Sequence, residues 1–120
     1  MGTDKLAVAT DWFDAYRDQS LERILALYDD EATQACACGG RKLIAGKQAL
    51  RAYWLDRFRT YPTGELIDVA LDGPDAVSVR YAANGAIVQA NLVIDRRGRI
   101  AHIVCGPLAR DVARLVRATS

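Results

Sequence analysis

ELIDVALDGPDAVSVRYAANGAIVQANLVIDRRGRIAHIVCGP, residues 65–107, alternates apolar and polar side chains, and three turn signals divide it. Those signals are Asp72-Gly73-Pro74, Asn84-Gly85 and the stretch from Asp95 to Gly98, all rich in residues that preset or tolerate turn dihedrals. The segment therefore reads as four antiparallel strands in a meander. In the second strand Val77, Val79 and Tyr81 oppose Ser78 and Arg80, and in the third Val88, Ala90 and Leu92 oppose Gln89 and Asn91. One face of the sheet is apolar and the other polar, so a second layer must cover the apolar one.

The covering layer is encoded upstream. Residues 4–17 place Ala9, Trp12, Phe13 and Tyr16 at helical spacing, with Thr3 as an N-cap and Asp4 in the first turn, where a carboxylate suits the helix dipole. After a break at Asp18 to Ser20, the set Leu21, Ile24, Leu25 and Tyr28 predicts a short second helix capped by Ser20 and ended by Asp29-Asp30-Glu31. The stretch from Thr33 to Cys38, then Gly39-Gly40 and Arg41 to Ile44, suggests two short strands joined by a tight turn. Gly46 opens a third helix whose stripe is Leu50, Tyr53, Trp54, Phe58 and Tyr61, and Pro62 with Gly64 stops it. Beyond Gly106-Pro107, Leu108, Val112, Leu115 and Val116 form one face of a closing helix, with Arg110, Arg114 and Arg117 elsewhere around it.

Composition narrows the function. The chain has 120 residues, the usual size of one domain, so 1–120 is read as a single unit with a sizeable core. Lys and Arg number 16 against 15 for Asp and Glu, which leaves no basic excess for phosphates or an anionic membrane. Neither nucleic acid nor a membrane is an expected partner. The N-terminal MGTDKLAVAT lacks the basic-then-apolar order of a signal peptide, and three cysteines make an odd number for a disulfide framework. A cytoplasmic protein with reduced thiols is the expectation.

Helices first and a meander afterwards give an α+β fold: a cone-shaped curved antiparallel sheet wrapped around N-terminal helices, with an extra C-terminal helix. The stretch WFDAYRDQSLERILALYDDEAT (12–33), the later GKQALRAYW (46–54) and DRRGRIAHI (95–103) resemble, in register, the SnoaL-like part of the nuclear-transport-factor-2-like superfamily. That superfamily also contains steroid delta-isomerases and polyketide cyclases. The resemblance implies a cystatin-like cone with a pocket between helices and sheet, and a homodimer formed through the outer sheet face. It also implies where isomerase chemistry would sit: a tyrosine donor on the first helix, a proton-shuttling aspartate on the first strand and a second, protonated aspartate on the sheet. Those positions fall at Trp12, Cys36 and near Ala90, and none of the three carries the needed group.

The same register turns Cys36 toward the pocket; strand alternation sends Cys38 to the same side, and Cys105 is matched to an inward position on the last strand. Three inward thiols form either a reactive site, with Cys36 as the candidate catalytic residue, or small apolar filling. A closed zinc centre would need all three cysteines and His102, but His102 and Cys105 have opposite strand parity, so no metal is expected. That parity puts His102, which would otherwise be a natural general base, on the outer face. Asp68, alternating with Ile67 and Val69, also points outward.

Trp12, Tyr16, Tyr53, Trp54 and Phe58 either clasp a flat ligand or fill the core, and Arg57 beside them either anchors a carboxylate or enolate or carries its charged end to solvent. The candidate pocket lining is Trp12, Tyr16, Cys36, Cys38, Tyr53, Trp54, Phe58, Val88, Ala90, Leu92 and Cys105. The leading reading is a homodimeric small-molecule binder for a compact apolar or aromatic compound, without metal or organic cofactor. An isomerase, cyclase or dehydratase using a pocket cysteine or tyrosine is one alternative. A non-enzymatic dimeric adaptor is the other.

Overall fold

The computed structural model describes residues 4–36, 42–60, 62–83 and 85–107. The elements run α1 (Lys5–Arg17), α2 (Leu21–Ala26), β1 (Tyr28–Cys36), β2 (Lys42–Ala45), α3 (Lys47–Thr60), β3 (Thr63–Leu71), β4 (Ala76–Ala83), β5 (Ala86–Ile94) and β6 (Ile100–Pro107). Six strands form one curved, unclosed sheet in the order β2-β1-β6-β5-β4-β3. The meander is β3 to β6, and β1 joins its last strand in the one parallel pairing, with β2 folded back antiparallel on β1. The α+β architecture inferred from residues 65–107 is thus present. The expected closing helix and the turn at Gly39-Gly40 lie outside the described residues, as do Cys38 and Tyr61.

Two local expectations are corrected. The α1 cap is Asp4, not Thr3: the Asp4 carboxylate accepts from the Ala7 amide at 3.1 Å while its backbone stays extended. Tyr28 does not close the α2 stripe but opens β1. The helix stops at Ala26 with Leu27 as its C-cap, and the Ile100 amide then donates to the Leu27 carbonyl at 2.8 Å, drawing the chain into the sheet. Asp29-Asp30-Glu31 is accommodated within β1 because the pairing with β6 shifts register between Tyr28 and Thr33. That irregularity frees the charged side chains from strict in–out alternation.

At one end of the cone, the base, the Lys5 ammonium donates to the Pro74 carbonyl, tying the start of α1 to the β3–β4 turn. At the other end, the rim, the C-terminal ends of α1, α3, β1 and β6 gather. Gln19, the one described non-glycine residue in the left-handed region (φ 55°), donates its amide to the Phe58 carbonyl at 3.0 Å and locks α1 to α3 there. Between the ends, the inward faces of β4 (Val77, Val79, Tyr81), β5 (Val88, Ala90, Leu92) and β6 (Ile103, Cys105) meet Trp12, Phe13 and Tyr16 of α1 and Trp54 and Phe58 of α3.

Candidate functional site

The cone interior holds a continuous set of rings. Trp12 meets Tyr16, Trp54 and Tyr81 edge-on at centroid distances of 5.8, 5.8 and 6.1 Å, and Tyr16 meets Trp54 at 4.8 Å and Tyr81 at 5.6 Å. These edge-to-face contacts are the geometry that aromatic quadrupoles prefer. Trp12, Tyr16, Trp54 and Tyr81 are sealed from solvent, as are Ala90 and Leu92 beneath them.

Polar groups inside this cluster bond to one another. The indole N–H groups of Trp12 and Trp54 each donate to the Tyr28 hydroxyl at 3.2 Å, and Tyr28 in turn donates to Gln34 Oε1 at 2.5 Å. Two incoming N–H bonds occupy the lone pairs of the phenol oxygen, so its own proton must go to Gln34. That fixes the Gln34 amide with Oε1 toward Tyr28 and Nε2 away from it. Among the described residues Nε2 has no partner, although Gln34 is 0% exposed. Burial pushes the Tyr28 phenol far above its ordinary pKa, and the two indole bonds pull it only partly back. Tyr28 is a neutral structural hub.

A second polar group lies closer to the rim. Arg57, only 3% exposed, donates from Nε to the Tyr16 hydroxyl at 2.9 Å, and its guanidinium lies 5.9 Å from the ring centroids of both Tyr16 and Tyr53. The expectation that its charged end reaches solvent is therefore overturned: the α3 stripe carries the whole side chain inward, where cation–π contact replaces part of the lost hydration. Burial and the neighbouring Tyr16 phenol push the Tyr81 phenol upward, and Arg57 eases it back. Tyr53 is half-buried, and its hydroxyl lies 4.0 Å from the Cys105 sulfur.

The candidate lining residues thus divide by depth. Trp12, Tyr16, Trp54, Ala90 and Leu92 are fully sealed; Phe58, Val88 and Cys105 are also buried in the core, and Tyr53 is half-buried. Cys36 ends β1 and is register-paired with Cys105, so its backbone position is at the rim. His102 occupies the outer face, its Nδ1 at 2.6 Å from the Thr33 hydroxyl, and Asp68 pairs there with Arg80 at 3.4 Å. No described carboxylate is buried, and no three described His, Cys, Asp or Glu side chains cluster as metal ligands would.

Gln34 and Tyr28 hold interior polar positions that the sequence reading did not assign, and Arg57 takes the inward one of its two alternatives. Signals for two of them existed. Gln34 shares strand parity with Cys36, and Arg57 follows Tyr53 and Trp54 at four- and three-residue helical spacing.

A curved unclosed sheet wrapped on three helices, with an aromatic interior, defines the cone-shaped α+β class. The SnoaL-like domain family model matches residues 9–105, and the chain belongs to that family. Among solved structures, a SnoaL-like protein of unknown function from Burkholderia thailandensis E264 superposes with a TM-score of 0.76 at 21% identity, covering 89% of this chain and 98% of that one. A ketosteroid isomerase-like protein from Erwinia carotovora atroseptica gives 0.62 at 20% identity over 86% and 92%. An uncharacterised cystatin-fold protein from Novosphingobium aromaticivorans gives 0.70 at 18% over 87% and 98%. At these identities the likeness is one of fold. No curated protein matches the chain in sequence. Among the described residues, no helix is long and apolar enough to cross a membrane.

Proposed function

We propose that this chain binds a compact aromatic or apolar molecule carrying a carbonyl or carboxylate oxygen, seated at the rim of the cone with that oxygen toward Arg57. The observation that carries the reading is a guanidinium held inside the aromatic interior, bonded to Tyr16 and flanked by the half-exposed Tyr53. Placed among rings and away from bulk water, that guanidinium interacts more strongly with an anionic or accepting ligand atom than an exposed one would. The sealed rings of Trp12, Trp54 and Tyr81 form the floor of the site, and Tyr53, Phe58, Val88 and Cys105 its walls. Such a floor favours a small flat ligand over an extended one.

The same reading takes the protein as a cytoplasmic homodimer formed through the outer sheet face. Leu43 (73% exposed), Val104 and Val93 are large apolar side chains on the outward parity of β2, β6 and β5, and burying them on a second copy removes them from water. If the site turns its ligand over, Tyr53 or a cysteine moves the proton, since the described carboxylates lie outside the core.

A thermal-shift panel of benzoate-like acids, their methyl esters and the parent hydrocarbons tests the proposal. A ligand at about 100 times its dissociation constant stabilises the fold by roughly 2.7 kcal/mol, several degrees for a domain of this size. Acids and esters are expected to stabilise, hydrocarbons to do so weakly, and Tyr53→Ala to diminish the shifts. A panel in which no oxygen-bearing compound stabilises the protein overturns the reading.

A further inference from the structure

Gln34 Nε2 is a fully buried amide donor without an acceptor among the described residues. Its orientation is forced. The Tyr28 hydroxyl, occupied by the indole N–H groups of Trp12 and Trp54, gives its own proton to Gln34 Oε1, which leaves Nε2 on the far side of the amide. A buried N–H with no acceptor costs free energy, and an apolar side chain of similar shape would avoid that cost. An amide held in this way is a preset donor. Its place in the fold shows where an acceptor would come from. Gln34 pairs with Ile103 on β6 and Ile44 on β2, both buried, so the inward wall around it is apolar. Tyr28 precedes it on β1, and Cys105 lies two residues beyond Ile103 on the parallel β6, its sulfur 4.0 Å from the hydroxyl of the half-buried Tyr53. Gln34 is thus one inward strand position deeper than the Tyr53–Cys105 contact. In such a wall an uncharged acceptor costs less to desolvate than an anion.

We propose that Gln34 is the specificity-determining donor of the site beside Arg57: its Nε2 takes an uncharged carbonyl oxygen that the ligand carries in addition to the oxygen facing the guanidinium. The inference rests on the ligand reading given above and narrows it to a bifunctional compound, an aromatic acid bearing a ketone or ester substituent. Tyr53 is the half-buried ring on the rim side of Gln34, and the ligand moves it aside on entry. The Tyr28 hub then has a second consequence, because the bond that completes the core also holds the Gln34 amide with its donor side toward the ligand.

The test is calorimetric titration of the full-length protein with benzoate, the acetylbenzoate isomers and the matching ethylbenzoates. Acetyl and ethyl groups are close in size, and only the acetyl group accepts a hydrogen bond. The wild type should bind one acetyl isomer about two- to tenfold more tightly than its ethyl counterpart, the worth of one neutral hydrogen bond. Gln34→Met keeps the side-chain volume and lacks the donor; it should bind that pair equally and bind benzoate as the wild type does. An acetyl-over-ethyl ratio that survives in Gln34→Met, or no such ratio for any isomer in the wild type, overturns the inference, and continued binding of benzoate then leaves the Arg57 reading standing. If none of the compounds binds, both fall. Should Gln34→Met not fold, NMR of the wild type decides: the Gln34 side-chain amide protons should move downfield with the acetyl isomer and stay in place with the ethyl one. Equal shifts with the two compounds refute the role.

Discussion

Replacing Tyr28 by Phe removes a single oxygen from a fully buried ring and strands three polar groups at once. The N–H groups of Trp12 and Trp54 lose their acceptor, and Gln34 Oε1 loses its donor. Each such bond contributes about 0.5–1.5 kcal/mol net, so the three together come to about 3 kcal/mol, a large share of the 5–15 kcal/mol that holds a domain folded. The opposite end of the network behaves differently. Gln34→Met strands only the Tyr28 hydroxyl, and it also removes Nε2, a buried donor without a described partner. Its cost should stay near about 1 kcal/mol or below. Urea unfolding followed by tryptophan fluorescence separates the two, since an unchanged slope of about 2 kcal/mol/M turns 3 kcal/mol into a midpoint fall of about 1.5 M. The pair should also couple: Gln34→Met made on top of Tyr28→Phe should cost less than it does alone. If Tyr28→Phe costs under about 1 kcal/mol, or less than Gln34→Met, the hydroxyl is not the hub of the core and the donor–acceptor assignment is wrong.

Other consequences are more local. Asp4→Ala removes the side-chain acceptor at the start of α1 and should lower stability by about 1 kcal/mol, whereas Asp4→Asn should retain most of it, both read from urea midpoints. Gly46→Ala places a Cβ on a backbone at φ 85°, where no atom obstructs it, so the loss of about 1–2 kcal/mol is conformational strain alone and Gly46→Asn should lose less. Stability should also fall as pH rises above 10.0, the ordinary tyrosine value. There the unfolded chain releases the protons of Tyr28 and Tyr81 while the folded chain, with both values raised by burial, retains them. Below that pH this contribution is fully present. Tyr81→Phe should flatten the alkaline slope in a pH series of thermal unfolding.

The fold was legible because its signals are periodic and mutually consistent. Val77, Val79 and Tyr81 on one strand and Val88, Ala90 and Leu92 on the next left no other side for the helices. The interior was less legible, for reasons that differ by residue. Tyr28 fits helical spacing after Leu21, Ile24 and Leu25, and only the pairing of the chain with β6 decides that it belongs to a strand. That contact lies across most of the sequence and leaves no local trace. At Arg57 the period was informative and residue type misled: the stripe position is inward, but a guanidinium is usually placed at the surface. Gln34 shows the same conflict on β1, between a parity that points in and an amide that suggests a loop.

These misread residues are the ones that change the chemistry of the cone. The resemblance to steroid isomerases puts a hydroxyl donor where this chain has Trp12, and an indole N–H is also a donor, so Trp12 alone would leave a hydrogen bond to a ligand possible. Tyr28 removes that option by accepting the Trp12 N–H at 3.2 Å, and it accepts the Trp54 N–H equally. Both indole donors of α1 and α3 are thereby spent on the core, and the rings above them are sealed from solvent. Among the described residues the buried cation is Arg57, one helical turn beyond Tyr53. On the proposed reading, a ligand oxygen would meet its electrostatic counterpart at Arg57, beside Tyr53. The Tyr28→Phe variant bears on this directly. If the hub sets the floor of the site, releasing the two indoles should deepen it, and ligands larger than those bound by the wild type should then raise the variant's unfolding temperature. A variant that binds the same size range as the wild type would show that the floor is set by the rings alone.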